Sequence, residues 1–86
     1  MTTEQKIEIA TTLVKKSIEI SETTNHQVFC DYSPHVDWVD IAIHRGGWRK
    51  GKSGTNYIVS LDDSNAEEEF DNVMAILDKL QQDAEK

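Results

Sequence analysis

Residues 36–43 constrain the fold more than any other stretch, because they alternate in the way that a half-buried β-strand requires. Val39, Ile41 and Ile43 fall at every second position, and β-branched residues favour strands. A turn containing Pro34 precedes the stretch, and a glycine cluster follows it. We therefore predict that residues 36–43 form the middle strand of a small sheet, around which the other elements pack.

Weaker strand patterns lie on both sides of this stretch. If Pro34 and His35 are the two residues of the first turn, Cys30 lies opposite Val39 and the apolar faces of the two strands coincide. The predicted flanking strands are 26–32 and 57–61, and their core-facing residues are Val28, Cys30, Tyr32, Tyr57, Val59 and Leu61.

Amphipathic segments predict a helix near each end of the chain. Thr2 with Gln5, and Ser64 with Glu67, have the spacing of a capping box, and Asn25 is a plausible end for the first helix. We predict helices over residues 2–24 and 65–83. Their apolar stripes are Ile7, Ala10, Leu13, Val14, Ile18 and Ser21, with Ile9 and Ile20 beside them, and Ala66, Phe70, Val73, Leu77 and Leu80, flanked by Met74 and Ile76.

The order of elements is thus helix, three antiparallel strands, helix. Each helix needs a partner for one apolar stripe, and the sheet offers one strongly apolar face. The simplest arrangement places both helices on that face, in a two-layer α+β domain that takes in residues 1–86. A chain of this size can bury about 60% of its unfolded surface, which is enough for one core.

Composition narrows the classes of function. The net charge of −7 disfavours generic binding to nucleic acid or to anionic membranes. The single cysteine rules out an intrachain disulfide and fits a reducing compartment, and the first residues lack the pattern of a signal peptide. No apolar stretch approaches the ~20 residues that span a bilayer. We expect a cytoplasmic protein.

Residues 46–53 match the phosphate-loop pattern G-x-x-x-x-G-K-[ST] letter for letter. That pattern needs a helix directly after it, because backbone N–H groups at the helix start hold the phosphates. Here Gly54, Thr55 and Asn56 lead into a predicted strand. We therefore interpret residues 45–54 as a basic hairpin loop and not as a nucleotide site.

No arrangement of residues indicates catalysis or metal binding. His35 and His44 bracket the central strand and, at ~3.3 Å per residue, lie about 30 Å apart. Cys30 is the only thiol and is expected to be buried, while Asp31 and Asp40 share an open sheet face without a cleft. We expect no metal, no cofactor and no enzymatic activity.

Three surfaces remain as candidates for interaction. The start of the second helix concentrates acids, the open sheet face carries apolar side chains, and the basic loop combines cations with a tryptophan. The acids are Asp62, Asp63, Glu67, Glu68, Glu69 and Asp71. The sheet-face residues are Phe29, Trp38, Ala42 and Ile58. The loop residues are Arg45, Trp48, Arg49, Lys50 and Lys52.

The order of elements resembles the double-stranded-RNA-binding domain, and Ser33-Pro34-His35 is similar to the first hairpin loop of that family. The family holds phosphates with lysines at the start of its last helix, where this chain has Ala66 followed by three glutamates. The resemblance therefore implies the topology and no binding residue. In size, charge and order the chain also resembles small acidic accessory proteins of Gram-positive phages and prophages, among them anti-CRISPR inhibitors that imitate nucleic-acid charge.

These observations predict a non-enzymatic interaction protein, of the phage accessory or inhibitor type, that presents its acidic helix start to a basic partner protein. The alternative is nucleic-acid binding through the basic loop, where Trp48 would stack on a base. We also predict a weak homodimer with Trp38 at its centre, because the open face would otherwise leave that ring in water.

Overall fold

The computed structural model describes residues 1–51 and 53–84 and confirms the α+β arrangement. One open antiparallel sheet carries both helices on a single face. Helix α1 packs against the first strand, α2 packs against the third, and the two helices contact each other. The elements are α1 (Thr3–Thr23), β1 (Gln27–Ser33), β2 (Trp38–His44), β3 (Thr55–Ser60) and α2 (Ala66–Ala84).

The sheet has the order β1-β2-β3, so the predicted central strand is central. The predicted register is wrong by two residues, because Cys30 pairs with Ile41 and not with Val39. The cause is the β1–β2 connection, which uses four residues, 34–37, where a two-residue turn was expected. The last of these, Asp37, has a φ of 55°, in the left-handed region that Asp tolerates better than most residues.

The core lies between the sheet and the helices. Val39, Ile41 and Ile43 of β2 are all buried, as their alternation predicts. Cys30 packs against this core but is half-buried, where burial was expected, because β1 is an edge strand. Tyr32 was also expected in the core and is exposed, with its hydroxyl donating to Asp37.

The buried face of α1 differs from the predicted stripe. Ile9, Leu13, Ser17 and Ile20 are buried, whereas the predicted core residues Ile7, Val14 and Ile18 are exposed. Helix α1 contacts both β1 and α2, so its buried face must point towards both. Because α1 carries apolar residues on two sides, the sequence does not decide which side is buried. Ser17 enters the core because its hydroxyl donates to the carbonyl oxygen of Leu13 at 2.7 Å.

The helix ends agree with the sequence in one case of three. Thr2 and Gln5 form the predicted capping box at the start of α1. Asn25 does not end this helix; Thr24 does, in an extended conformation with its hydroxyl donating to the carbonyl of Ile20 at 2.7 Å. Before α2 the predicted Ser64–Glu67 capping box is absent, and the Asp63 carboxylate accepts the Asn65 N–H at 3.0 Å in a turn that precedes the helix.

The apolar stripe of α2 is confirmed. Its buried residues include Val73 and Leu77, while Phe70, Met74 and Ile76 pack partly buried around the core. Because α2 carries acids on its opposite side, its stripe was unambiguous in the sequence.

Ile20 and Ile18 provide a matched test of the face that α1 buries. Ile20 is 0% exposed and Ile18 is 57% exposed. We expect Ile20→Ala to lower the free energy of unfolding by about 2–5 kcal/mol, because it opens a cavity in the core. Ile18→Ala should change it by less than about 0.5 kcal/mol. Urea unfolding followed by circular dichroism measures both, and equal losses would contradict this orientation of α1.

Candidate interaction surfaces

An acidic groove runs between the first turns of α1 and α2. Its volume is about 460 Å³, and it combines the exposed carboxylates of Glu8, Glu67 and Asp71 with the partly buried ring of Phe70. In the described part of the chain, ion pairs join Lys6 and Lys16 to aspartates, and none engages these three carboxylates. The complete lining is Met1, Gln5, Glu8, Ile9, Thr12, Glu67, Phe70 and Asp71.

The six predicted acids fall into two groups. Asp62 lies 3.6 Å from the Lys6 ammonium, Asp63 accepts the Asn65 N–H in the turn before α2, and Glu69 accepts the Ser60 N–H at 3.3 Å. These three stabilise the connection between β3 and α2. The other three, Glu67, Glu68 and Asp71, point into solvent on the first turns of α2.

Helix α1 presents an exposed outer stripe that includes Ile7, Val14 and Ile18, three residues predicted to lie in the core. Ile7, Thr11, Val14 and Ile18 follow one another at four- and three-residue steps and are exposed. A shallow depression of about 510 Å³ lies along this stripe beside Ala10. The signal was present as the second apolar side of α1, but burial of either side satisfied the pattern.

The outer stripe and the acidic groove are parts of one continuous surface. At 3.6 residues per turn, Glu4 and Glu8 project from the ridge of α1 between the stripe and the groove. An apolar centre bordered by charged side chains is the usual anatomy of a protein–protein interface. We call the outer stripe, the ridge and the acidic groove together the α1 surface.

The open face of the sheet exposes Phe29, Trp38 and Ile58, as predicted, with Ala42 half-buried between them. Phe29 stacks edge-on against His44, at 5.2 Å between ring centroids. The observed register places Ser33 and Ser60 beside Trp38, whereas the predicted pairing of Cys30 with Val39 places Asp31 there.

The carboxylates on this face are close neighbours. Asp31 pairs directly with Asp40 across β1 and β2, and the Asn56 amide donates to Asp40 at 3.4 Å. Like charges directly opposite each other in a sheet are unfavourable. They also oppose the approach of a second identical face.

Asp37 joins three parts of the fold. Its carboxylate forms an ion pair with Lys6 of α1 and accepts the Tyr32 hydroxyl of β1 at 3.2 Å. Its carbonyl oxygen accepts the Leu61 N–H at 2.9 Å, just after β3. The hydrogen bond from Lys6 lowers the pKa of Asp37, and the same contact raises the pKa of Lys6.

The basic loop lies at the opposite end of the sheet from the acidic groove. It leaves β2 and enters β3 without a helix, so the phosphate-loop match lacks the structure that holds phosphates. Arg45, Trp48, Arg49 and Lys50 are all exposed. Lys52, the fifth predicted loop residue, lies outside the described residues.

Other chemistry is not indicated in the described ranges. Residues 1–51 and 53–84 contain no group of three or more His, Cys, Asp or Glu side chains placed to hold a metal ion. Burial raises the pKa of the Cys30 thiol, which disfavours the nucleophilic thiolate. None of the helices in these ranges has the length and apolar character that crossing a membrane requires.

Comparisons with protein-family models, with curated proteins and with solved structures found no match to this chain. The resemblance to phage accessory proteins therefore stays a prediction.

The Asp37 cluster predicts a dependence of stability on pH. A lowered pKa stabilises the fold above the ordinary carboxyl value of about 3.9, and this contribution is lost as the pH falls through the folded-state pKa. We expect Asp37→Asn to reduce the free energy of unfolding at pH 7, since Asn tolerates the left-handed backbone but cannot pair with Lys6. The difference from wild type should shrink below about pH 4.

Urea unfolding between pH 3 and pH 8 measures this difference. Glu22→Gln removes an exposed carboxylate near the end of α1 and serves as the control for net charge. A loss in Asp37→Asn that stays constant across this range would show that the charge of Asp37 does not matter.

We predict a weak homodimer formed through the open face, with Trp38 at its centre. Burying the ring yields about 25 cal/mol per Å² of apolar area, and the Asp31–Asp40 pair keeps the association weak. Sedimentation at increasing concentration should show dimerisation of wild type and of the control Trp48→Ser, but not of Trp38→Ser. A monomeric wild type, or a Trp38→Ser dimer of unchanged affinity, refutes the prediction.

Proposed function

We propose that this protein is a non-enzymatic binding protein that docks through the α1 surface onto a basic region of a partner protein. The observation that carries the proposal is the acidic groove, which three exposed carboxylates line together with Phe70. Such a groove suits a lysine or arginine, since the aliphatic stem packs on the ring while the charged head meets Glu8, Glu67 or Asp71.

The distribution of charge supports the same partner chemistry. Four of the nine Lys and Arg residues lie in the basic loop, so the other five accompany all sixteen acids in the rest of the chain. The part of the molecule that contains the acidic groove therefore attracts a basic surface over several ångströms, and this attraction accelerates docking. Screening by salt weakens this attraction, because the Debye length is about 8 Å at physiological ionic strength.

The outer stripe supplies what charge alone lacks. Exposed ion pairs contribute little net free energy, whereas apolar side chains at the centre of an interface contribute most of it. That apolar centre would consist of the exposed side chains of Ile7, Val14 and Ile18. Glu4 and Glu8 lie at its border. A phage accessory or inhibitor that blocks a nucleic-acid-binding protein would have this chemistry.

The alternative function, nucleic-acid binding through the basic loop, uses the other end of the molecule. It does not compete with the α1 surface.

Affinity capture with charge-reversed variants tests the proposed function. Wild-type protein on a resin should retain a defined protein from a lysate of the source cells at 50 mM salt and release it at 500 mM. The triple reversal Glu8→Lys, Glu67→Lys, Asp71→Lys should lose that protein. Reversal of Glu22 and Asp31, two exposed acids outside the α1 surface, should keep it.

The salt response and the location of the effect are both required. Retention of no defined protein contradicts the proposal. So does a retained protein that binds the triple reversal as well as it binds wild type.

A further inference from the structure

The first half of the basic loop is held in a defined position by His26 and Gln27 at the start of β1. The Gly46 N–H donates to His26 Nδ1 at 2.9 Å, and the Trp48 N–H donates to Gln27 Oε1 at 2.6 Å. Gly46 and Gly47 have φ values of 78° and 97°, which only glycine adopts without strain. The backbone of Trp48 is therefore anchored to the sheet.

The indole of Trp48 is nevertheless 57% exposed. A large aromatic ring in a glycine-rich loop contributes little to a core that lies on the other side of the sheet end. The main-chain hydrogen bond fixes the backbone position from which the ring projects. The backbone of Trp48 is therefore held in place while its ring remains in solvent.

Three cations lie within three residues of Trp48 in the sequence. Arg45 donates to the Thr55 hydroxyl at 3.3 Å, which orients its guanidinium, and Arg49 and Lys50 follow Trp48 directly. In the described part of the chain, no ion pair joins any of these three to a carboxylate. Their charge is available to an anion.

We propose that the basic loop binds single-stranded nucleic acid, with Trp48 stacking on one base while Arg49 and Lys50 hold the neighbouring phosphates. An aromatic face between cations is the general device for such ligands, because every base has a π-face and every nucleotide a phosphate. A duplex hides its base faces by stacking, so one exposed indole favours a single strand. With one ring and few cations, the site spans only a few nucleotides.

The acids at the start of α2 do not prevent this binding at ordinary ionic strength. The six residues of β3 separate the basic loop from Asp62, which corresponds to roughly 20 Å at ~3.3 Å per residue. At 0.1 M salt the Debye length is about 10 Å, so the repulsion from Asp62 and the acids that follow it at the start of α2 is largely screened at the loop.

Fluorescence of Trp48 tests the proposal directly. The chain has two tryptophans, so Trp38→Phe leaves Trp48 as the only one. Titration of this protein with a deoxythymidine oligonucleotide of about ten residues at 0.1 M salt should quench Trp48 saturably, since stacking brings the base onto the indole. A duplex hairpin and a polyglutamate peptide serve as competing ligand classes.

Variants separate stacking from charge. Arg49→Glu with Lys50→Glu should abolish the quenching, and Lys15→Glu, on α1, should leave it unchanged. Trp48→Ala should weaken binding of a fluorescently labelled oligonucleotide by roughly tenfold or more. Circular dichroism confirms that each variant is folded, and the Trp48 emission of the folded protein remains readable in every charge variant.

Three results would overturn the proposal: no quenching by the oligonucleotide, equal quenching by polyglutamate, or equal quenching by the duplex. The second would identify an acidic-peptide site and the third a general phosphate site. None of them bears on the α1 surface, so the two proposals stand or fall separately.

Discussion

One-sided burial of β2 is the constraint on which the structure depends. Val39, Ile41 and Ile43 are each at most 1% exposed, and both helices are needed to cover the sheet face that they form. Covering that face consumes one side of each helix. The opposite sheet face, the outer stripe of α1, the groove between the first turns of the helices and the basic loop are therefore left in solvent, and these are the candidate interaction surfaces.

Asp37 connects the sheet to helix α1. Its left-handed backbone ends the four-residue connection between β1 and β2, and its carboxylate draws Lys6 of α1 to the same point. Lys6 also lies 3.6 Å from Asp62, just before α2. The first turn of α1 and the start of α2 therefore lie side by side. The acidic groove lies between the first turns of these helices.

The sequence was sufficient for the elements, their order and the layer that covers them, because period-2 and period-3.6 patterns report burial directly. It was insufficient where two solutions satisfied the same pattern. Ile7, Val14 and Ile18 lie on one side of α1 and Ile9 and Ile20 on another, so only the position of α2 decides which side is buried. A two-residue turn and a four-residue turn both align the apolar faces of β1 and β2, and the choice depends on Asp37, whose partners are distant in sequence. The acids of the groove were predictable individually, but Glu8 joins them only through the packing of the helices.

Charge separation links the fold to the proposed function, because the connections that carry the acids and the cations leave the sheet at opposite ends. Hydrogen exchange of the protein with and without its captured partner tests this account most directly. Docking through the α1 surface predicts that the partner protects the backbone amides of residues 3–18 and 66–71 from exchange. The exchange of residues 45–51 should be unchanged. Protection confined to the open face of β1–β3 or to the basic loop would contradict it.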